Sequence, residues 1–273
     1  FEDLGVPCVR ASALSRMVGP DAQGQNTRVY LGFNQDAPLF VIQTDPVTGE
    51  VRQFNAPDGC QGPWAMITGK DGMIYIGTCE APDHPGSILR LDPSNPDGAI
   101  ELIGRPADSE TYIWQFANGT DGKVYACTYP QAKLVSYDPA TGELADCGRM
   151  DDQEQYARVI AAGDDGWVYT GIGMVRGNLV GYNTATGEHK GMLPDAEREP
   201  DSGTVYRGSD GKVYGRVGAQ WYRLWQGEAT KVADNERAEQ EQMVLADGRV
   251  LLDSGIHDYY ELLDPKTGEK TLY

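Results

Sequence analysis

Three histidines are the side chains best suited to proton transfer near neutral pH. His84 and His257 fall in irregular loops, whereas His189 follows a Thr-Gly-Glu turn and belongs to an outer strand. A histidine beside a tyrosine or an arginine can act as a general base. If the protein is an enzyme, we expect His84 or His257 to be that base; the alternative is that both are solvated surface residues. The tyrosines and arginines that could assist from nearby loops are Tyr112, Tyr129, Tyr156, Arg158, Arg176 and Tyr259.

Two tryptophans occupy equivalent places in a repeat. Trp64 and Trp114 each stand eight residues before the glycine of an Asp-Gly pair, and Arg158 stands at the same distance before a third. An aromatic face packs well on the C–H surface of a sugar ring, so these tryptophans, with Tyr112 and Tyr156, predict a ligand platform. The alternative is that they only pack between neighbouring repeats. The remaining equivalent positions hold Gly203 and Gln240.

Acidic side chains are numerous in the same loops, Glu110 and Glu154 among them. We interpret them as a solvated rim, because the sequence has no Asp-x-Asp-x-Asp-Gly calcium loop and no His/Cys spacing of a zinc site. It also lacks a glycine-rich phosphate loop and a Gly-x-Ser-x-Gly nucleophile motif. We therefore predict no metal site, and the sequence indicates no particular cofactor.

An internal repeat supplies the elements that must position these residues. Asp-Gly pairs, each followed by a strand of apolar and aromatic residues, occur at 71, 121, 165, 210 and 247, and Arg28 begins a sixth copy without the pair. The second half of the unit ends in a turn such as Asp-Pro-Ala-Thr-Gly-Glu at 138–143. A spacing of 37 to 50 residues with four strands per unit is typical of a β-propeller. We predict an all-β propeller of about six four-stranded blades, either complete or part of a larger ring.

The third repeat shows how one blade is built. We predict strand A at 112–118, strand B at 123–128, strand C at 133–137 and strand D at 143–147. In the tight turns Asp caps the turn, Pro presets φ, and Gly takes the left-handed position. The A–B and C–D turns share one face of a propeller, and the longer B–C and D–A loops share the other. Because loops on a rigid scaffold carry most binding residues, we place the functional site on the loop-rich face.

The first residues have no blade of their own. Residues 1–7 look like the end of a strand D, yet the last repeat already has its own strand D at 269–273. We therefore divide the chain into an outer strand at 1–7 and a propeller at 8–273. The outer strand could close the ring, belong to a preceding blade, or pair with a neighbouring molecule.

The formal charge of −18 argues against a nucleic-acid partner and against an anionic membrane surface. The charge also disfavours polyanionic substrates, although a local basic pocket for an anion is compatible with it. No apolar run approaches the roughly 20 residues that span a bilayer. We therefore predict no membrane insertion.

The five cysteines bear on the compartment. The turn at 70–72 folds a strand back on the one before it, which places Cys79 beside residues 61–63 and close to Cys60. A disulfide between the two would indicate an oxidising compartment. The alternative is that both are buried thiols. We expect an extracytoplasmic or secreted protein.

The repeat resembles the bacterial propellers grouped around streptogramin lyase, with their YVTN-type and gluconolactonase-like relatives. The segments that carry the resemblance are Asp-Gly-Lys-Val-Tyr at 121–125 and 210–214 and Leu-Val-Ser-Tyr-Asp-Pro-Ala-Thr-Gly-Glu at 134–143. The resemblance covers 28–273 and implies the propeller architecture. It also implies that a lyase of this shape would use histidine with tyrosine or arginine, in some members with a divalent metal. The His-x-Glu spacing of such members does not occur at any histidine of this chain.

Two hypotheses from different classes follow. The first is a propeller that binds a carbohydrate or similar small ligand on its loop-rich face and, if it is an enzyme, cleaves it by β-elimination with a polysaccharide-lyase-like activity. The second is a non-catalytic scaffold or a self-assembling subunit that associates through residues 1–7.

Overall fold

The computed structural model describes residues 12–34, 38–79, 85–95, 98–252 and 259–273. These residues form six antiparallel sheets, each built from consecutive strands of the chain. Neighbouring sheets pack face to face as the blades of a ring, which confirms the predicted β-propeller. Residues 1–7, assigned above to an outer strand, lie outside the described residues.

Five of the blades have four strands. Blade 1 contains β1 (Ala13–Gly19), β2 (Arg28–Phe33), β3 (Phe40–Thr44) and β4 (Val51–Asn55). Blade 2 contains β5 (Pro63–Thr68), β6 (Ile74–Thr78), β7 (Ile88–Leu91) and β8 (Glu101–Gly104). Blade 3 contains β9 (Tyr112–Asn118), β10 (Val124–Tyr129), β11 (Lys133–Asp138) and β12 (Glu143–Arg149). Blade 4 contains β13 (Tyr156–Ala162), β14 (Trp167–Gly173), β15 (Asn178–Asn183) and β16 (His189–Gly191). Blade 5 contains β17 (Thr204–Arg207), β18 (Val213–Val217), β19 (Gln220–Trp225) and β20 (Glu228–Val232).

The sixth blade differs from the predicted four regular strands. Its sheet has three, β21 (Val250–Leu252), β22 (Glu261–Leu263) and β23 (Lys270–Leu272). On the inner side, a bridge joins Val244 to Val250, and the Leu251 amide donates to the Met243 carbonyl at 2.9 Å. The residues at 240–242 are Gln-Glu-Gln, which cannot be buried against a neighbouring blade as an apolar inner strand is.

Helical structure in the described part of the chain consists of two short 3-10 turns, Asp195–Glu197 and Asp234–Glu236. Both lie in D–A loops, on the loop-rich face. Among the described residues, no helix is long and apolar enough to cross a membrane.

Blade 3 follows the predicted strands closely. Strand A has the same bounds in the prediction and the structure, and strand B is shifted by one residue. Val124 pairs with Tyr137 at one end of the blade, so the A–B and C–D turns share that end. Tyr129 pairs with Tyr112 at the other end, where the B–C and D–A loops meet. The predicted division into a tight-turn face and a loop-rich face is therefore confirmed.

The repeated Asp-Gly turn has a common hydrogen-bond pattern. In blade 3, Asp121 accepts the Lys123 amide at 3.2 Å through one carboxylate oxygen and the Tyr125 hydroxyl at 2.9 Å through the other. Gly122 has φ +90°, in the left-handed region that favours glycine. The same tyrosine-to-aspartate bond recurs as Tyr75–Asp71, Tyr169–Asp165 and Tyr214–Asp210. The Asp-Gly-x-x-Tyr spacing thus reflects an aspartate that ties strand B back to its own turn.

Apolar side chains fill most seams between neighbouring blades. Clusters of buried residues join blades 1 to 2, 2 to 3, 3 to 4 and 4 to 5. A further cluster joins blade 6 to blade 1, with Leu251 packed against Val18, and there the hydroxyls of Tyr260 and Thr44 lie 2.8 Å apart. The six described blades therefore close into a ring. The apolar faces of blades 1 and 6 are buried against each other and need no further blade between them.

The seam between blades 5 and 6 is polar. Arg207 pairs with Glu241 at 2.9 Å, and the Tyr206 hydroxyl donates to the Ala238 carbonyl at 3.0 Å. Residues 240–243 of blade 6 line a cavity of about 520 Å³ at the tight-turn end of the central channel. This cavity lies at the opposite end from the loop-rich face.

Cys79 lies where the turn at 70–72 predicted it, because its amide donates to the Gly62 carbonyl at 2.7 Å. Cys60 and Cys79 are both buried, and no disulfide joins one to the other. The structure therefore agrees with the second alternative, in which both cysteines are buried and no disulfide joins Cys60 to Cys79. The pair therefore gives no support for an oxidising compartment.

Removing one hydroxyl tests the role of the Asp-Gly turn. Tyr125→Phe keeps the ring in its seam but removes the hydrogen bond to Asp121, so we expect the free energy of unfolding to fall by about 1 to 2 kcal/mol. Tyr137→Phe is the matched control, because Tyr137 is also buried and its hydroxyl makes no hydrogen bond to a described residue. Urea denaturation measures both variants. Equal losses would contradict the proposed role of the aspartate.

Candidate ligand-binding site

A β-bulge recurs at the same point of strand A in blades 1 to 4. The register shifts beside it place one extra residue on strand A, at the end that meets the loop-rich face. The bulged residues are Leu14, Trp64, Trp114 and Arg158. A bulge redirects the side chain of the extra residue. The equivalence of Trp64, Trp114 and Arg158 inferred from sequence spacing is therefore a shared backbone feature.

The bulges and the loops beside them bring five aromatic side chains together. The Tyr112 ring stacks on Trp114 at 5.0 Å, and Trp64 meets Trp114 edge-on at 5.3 Å. Tyr156 lies 6.2 Å from Trp114 and 4.5 Å from Tyr129, between ring centroids. We call these five residues the aromatic cluster. Each is half-buried, and they come from blades 2, 3 and 4.

The packing interpretation of the tryptophans is confirmed for Trp114, and the ligand platform stays a prediction. Trp114 is mainly a packing residue, because it lies against the core cluster between blades 3 and 4 and its indole nitrogen is buried. Trp64, Tyr129 and Tyr156 surround it and keep part of their surface exposed. The cluster is therefore a fixed aromatic surface with Trp114 at its base.

Arg158 completes the cluster. Its guanidinium carbon lies 5.3 Å from the centre of the Trp114 ring, and the side chain is exposed. A guanidinium over an indole ring is attracted by the negative face of that ring. Six of the predicted site residues are thus in mutual contact.

A second arginine–tryptophan group lies at the same end of blade 5. The guanidinium carbons of Arg216 and Arg237 lie 5.3 Å and 3.8 Å from the Trp221 ring centre. Arg237 also pairs with Asp234 at 2.7 Å and donates to the Tyr206 hydroxyl at 2.8 Å. Sequence reasoning missed Arg216, although a charged residue within the otherwise uncharged strand 213–217 was a usable signal.

Two glutamates interpreted as part of a solvated rim are in fact buried. Glu154 accepts the amides of Met174, Val175 and Arg176 at 2.7 to 3.3 Å. Glu110, at the equivalent place in blade 3, accepts the Thr128 hydroxyl and the Gln131 amide. The rim interpretation is therefore wrong for both, because each carboxylate satisfies donors of a B–C loop that would otherwise be unpaired.

Two predicted site residues lie apart from the cluster. The guanidinium of Arg176 donates to the Asp195 carbonyl at 3.2 Å and pairs with the Asp195 carboxylate at 3.4 Å. Tyr259 lies in blade 6, across the ring from blade 3, and its carbonyl accepts from Arg16 at 3.3 Å. Neither takes part in the ring contacts of the aromatic cluster that the described residues make.

The predicted catalytic histidines His84 and His257 lie outside the described residues. His189 lies in the outer strand β16, as its position after a Thr-Gly-Glu turn indicated. Among the described residues, no group of three or more acidic, histidine or cysteine side chains is placed to hold a metal ion.

The tyrosines of the cluster have raised pKa values. A hydrogen bond with Cys79, together with burial, raises the pKa of Tyr112 to about 12. Burial and the neighbouring Tyr129 raise the pKa of Tyr156. Both phenols are therefore protonated at neutral pH, which suits them to donate a hydrogen bond or a proton and not to act as bases.

Comparison with known proteins gives the fold. No family model and no curated protein matches the chain. A catalytically inactive virginiamycin B lyase from Staphylococcus aureus with quinupristin matches over 99% of this chain and 86% of its own, at 12% identity and a TM-score of 0.62. A streptogramin B lyase matches over 96% and 86%, at 14% identity and a TM-score of 0.59. The extracellular domain of a hybrid two-component system from B. thetaiotaomicron matches over 94% and 39%, at 11% identity and a TM-score of 0.50. These similarities agree with the resemblance seen in the sequence and show a β-propeller.

The Glu154 anchor gives a test of loop order. Glu154→Ala leaves three loop amides without their acceptor, so we expect the B–C loop at 174–176 to open more often and trypsin to cut faster after Arg176. Glu239→Ala, at an exposed glutamate of another loop, is the control. Timed digestion with mass spectrometry identifies the cut. Equal rates in the native protein and Glu154→Ala would show that the carboxylate does not hold the loop.

Proposed function

We propose that the protein binds a carbohydrate or similar small ligand on the aromatic cluster at the loop-rich end of the propeller. The observation that carries this proposal is the convergence of half-buried aromatic side chains from three blades, with an exposed arginine stacked at their base. Ligand sites combine aromatic surface with a few placed polar groups. The cluster offers both, on strands and loops that the blade packing holds in place.

The rigidity of the surface supports binding. Trp64, Trp114 and Arg158 stand on bulged strands inside the ring, and the adjoining B–C loops of blades 3 and 4 are anchored by buried glutamates. Side chains that are already ordered lose little conformational entropy when a ligand arrives. A sugar ring could therefore lie on Trp64, Tyr129 and Tyr156 without rearrangement of the site.

Cleavage by β-elimination would extend this binding function. A base would remove the proton next to a carboxyl or carbonyl group, the bond to the glycosidic oxygen would break as the carbon–carbon double bond forms, and the departing oxygen would take a proton. Tyr112 or Tyr156 suits the last step because both phenols stay protonated at neutral pH. The base would be His84 or His257.

We further propose an extracytoplasmic location. Its support is that one structural neighbour is an extracellular domain of a bacterial protein. The scaffold hypothesis depends on residues 1–7, outside the described part of the chain, and no contact among the described residues favours it.

Binding is tested by titrating a panel of neutral and acidic trisaccharides, including cellotriose and β-1,4-linked triglucuronate, and following tryptophan fluorescence. We expect a saccharide of the panel to bind, and Trp64→Ala to weaken it about fivefold, since an aromatic contact contributes about 1 kcal/mol beyond burial of its area. Trp225→Ala is the matched control, because Trp225 lies at the tight-turn end. Thermal unfolding confirms that both variants fold. Unchanged affinity in a folded Trp64→Ala variant would contradict the proposed site.

Turnover is tested separately from binding. With a saccharide that binds, we expect product with a new carbon–carbon double bond to appear in the ultraviolet spectrum, and His84→Ala or His257→Ala to abolish it while leaving affinity within a few-fold. His189→Ala is the control on the outer strand. Full turnover in both test variants would remove the histidines from the mechanism and leave the binding proposal standing.

A further inference from the structure

Two exposed arginines stack on tryptophans at the loop-rich ends of adjacent blades. Arg158 of blade 4 lies over Trp114 of blade 3, and Arg216 lies over Trp221, both in blade 5. In each pair the guanidinium carbon is 5.3 Å from the centre of the indole ring. Neither guanidinium makes a hydrogen bond or an ion pair with any residue that the structure describes. Both guanidiniums are therefore without a carboxylate partner among the described residues, on a chain with a formal charge of −18.

Two other arginines near this end, Arg198 and Arg237, have carboxylate partners. Arg237 also stacks on Trp221, but it pairs with Asp234. Arg198 pairs with Asp151 at 2.7 Å. The guanidiniums of Arg158 and Arg216 therefore differ from these neighbours in keeping their donors available.

The available donors of the two guanidiniums set the ligand chemistry. No described residue accepts a hydrogen bond from Arg158 or Arg216, so their N–H groups can meet the two oxygens of a carboxylate. The protein's own cations also lie over the rings of Trp114 and Trp221. A cationic ligand would have to displace them, whereas an anionic ligand would add to them.

The two arginines come from different strands of their blades. Arg158 is the bulged residue of β13. In blade 5 the equivalent position is Gly203, where a Cβ atom would collide with the Asn178 carbonyl oxygen. Blade 5 therefore has no side chain at that position, and its cation comes from the next strand, where Arg216 pairs with Thr204.

We propose that the ligand is an acidic saccharide, and that Arg158 and Arg216 bind carboxylates on its sugar rings while the aromatic cluster holds a ring face. This inference rests on the proposed function and names its substrate class. The acidic remainder of the protein would repel such a ligand elsewhere, which confines it to these arginines.

The test compares two probes that share ring and linkage and differ in the carboxylates: β-1,4-linked triglucuronate and cellotriose. Tryptophan fluorescence is titrated with each at low and at high salt. We expect triglucuronate to bind at least about tenfold more tightly at low salt, and the difference to shrink as salt screens the charges.

Variants assign the effect to residues. Arg158→Gln and Arg216→Gln should each weaken triglucuronate about tenfold or more, and Arg216→Gln, at a residue outside the aromatic cluster, should leave cellotriose within about twofold. Lys266→Gln removes the same charge from an exposed turn on the tight-turn face and should change neither probe. Arg158→Lys keeps the charge but loses the planar fork, so it should recover only part of the affinity.

The outcomes separate this inference from the proposed function. Equal affinity for the two probes, or triglucuronate binding that survives both glutamine variants, would overturn the acidic-saccharide inference and leave saccharide binding in place. If neither probe nor any other saccharide of the panel binds, the proposed function itself fails.

Discussion

Each blade of this propeller can bury its apolar faces only against its neighbours, and the rest of the structure depends on that constraint. A four-stranded sheet of this size has little core of its own, so the clusters in the seams, including the one that joins Leu251 to Val18, hold the ring together. Three of the Asp-Gly turns serve the same end, because the tyrosines that bond to their aspartates, Tyr75, Tyr125 and Tyr169, also pack in seams. Tyr169 illustrates this: its hydroxyl donates to Asp165 and accepts the Gly227 amide of the next blade.

The ring in turn fixes the candidate site. Bulges at equivalent points of strand A direct Trp64, Trp114 and Arg158 toward the loop-rich end, and buried Glu110 and Glu154 anchor the loops beside them. Trp64 and Trp114 pack on each other, and the two glutamates are held by hydrogen bonds, before any ligand arrives. The candidate site is therefore ordered by the packing of the blades. Its aromatic rings offer apolar contact surface, and the guanidiniums beside them offer positive charge.

The architecture could be predicted from the repeat, because the Asp-Gly-x-x-Tyr and Thr-Gly patterns mark the turns of the β-hairpins. Counting residues back from each Asp-Gly turn also showed that Trp64, Trp114 and Arg158 occupy equivalent positions. Sequence spacing could not show that Glu110 and Glu154 are buried, because a loop glutamate that caps backbone amides has the same local pattern as one that faces water. Sequence spacing also missed Arg216, which contacts Trp221 on the neighbouring strand. The irregular inner strand of blade 6 was not predicted, because the Asp-Gly pair at 247 matches the other repeats. The sequence differs from them just before that pair, at Gln-Glu-Gln 240–242.

The measurement that tests the central claim most directly is fluorine NMR of protein labelled with fluorotryptophan, titrated with triglucuronate. The chain has five tryptophans. We expect the resonances of Trp64, Trp114 and Trp221, at the loop-rich end, to shift on binding. Those of Trp167 and Trp225, at the tight-turn end, should stay in place. Shifts confined to Trp167 or Trp225 would place the ligand at the wrong end of the propeller and contradict the account.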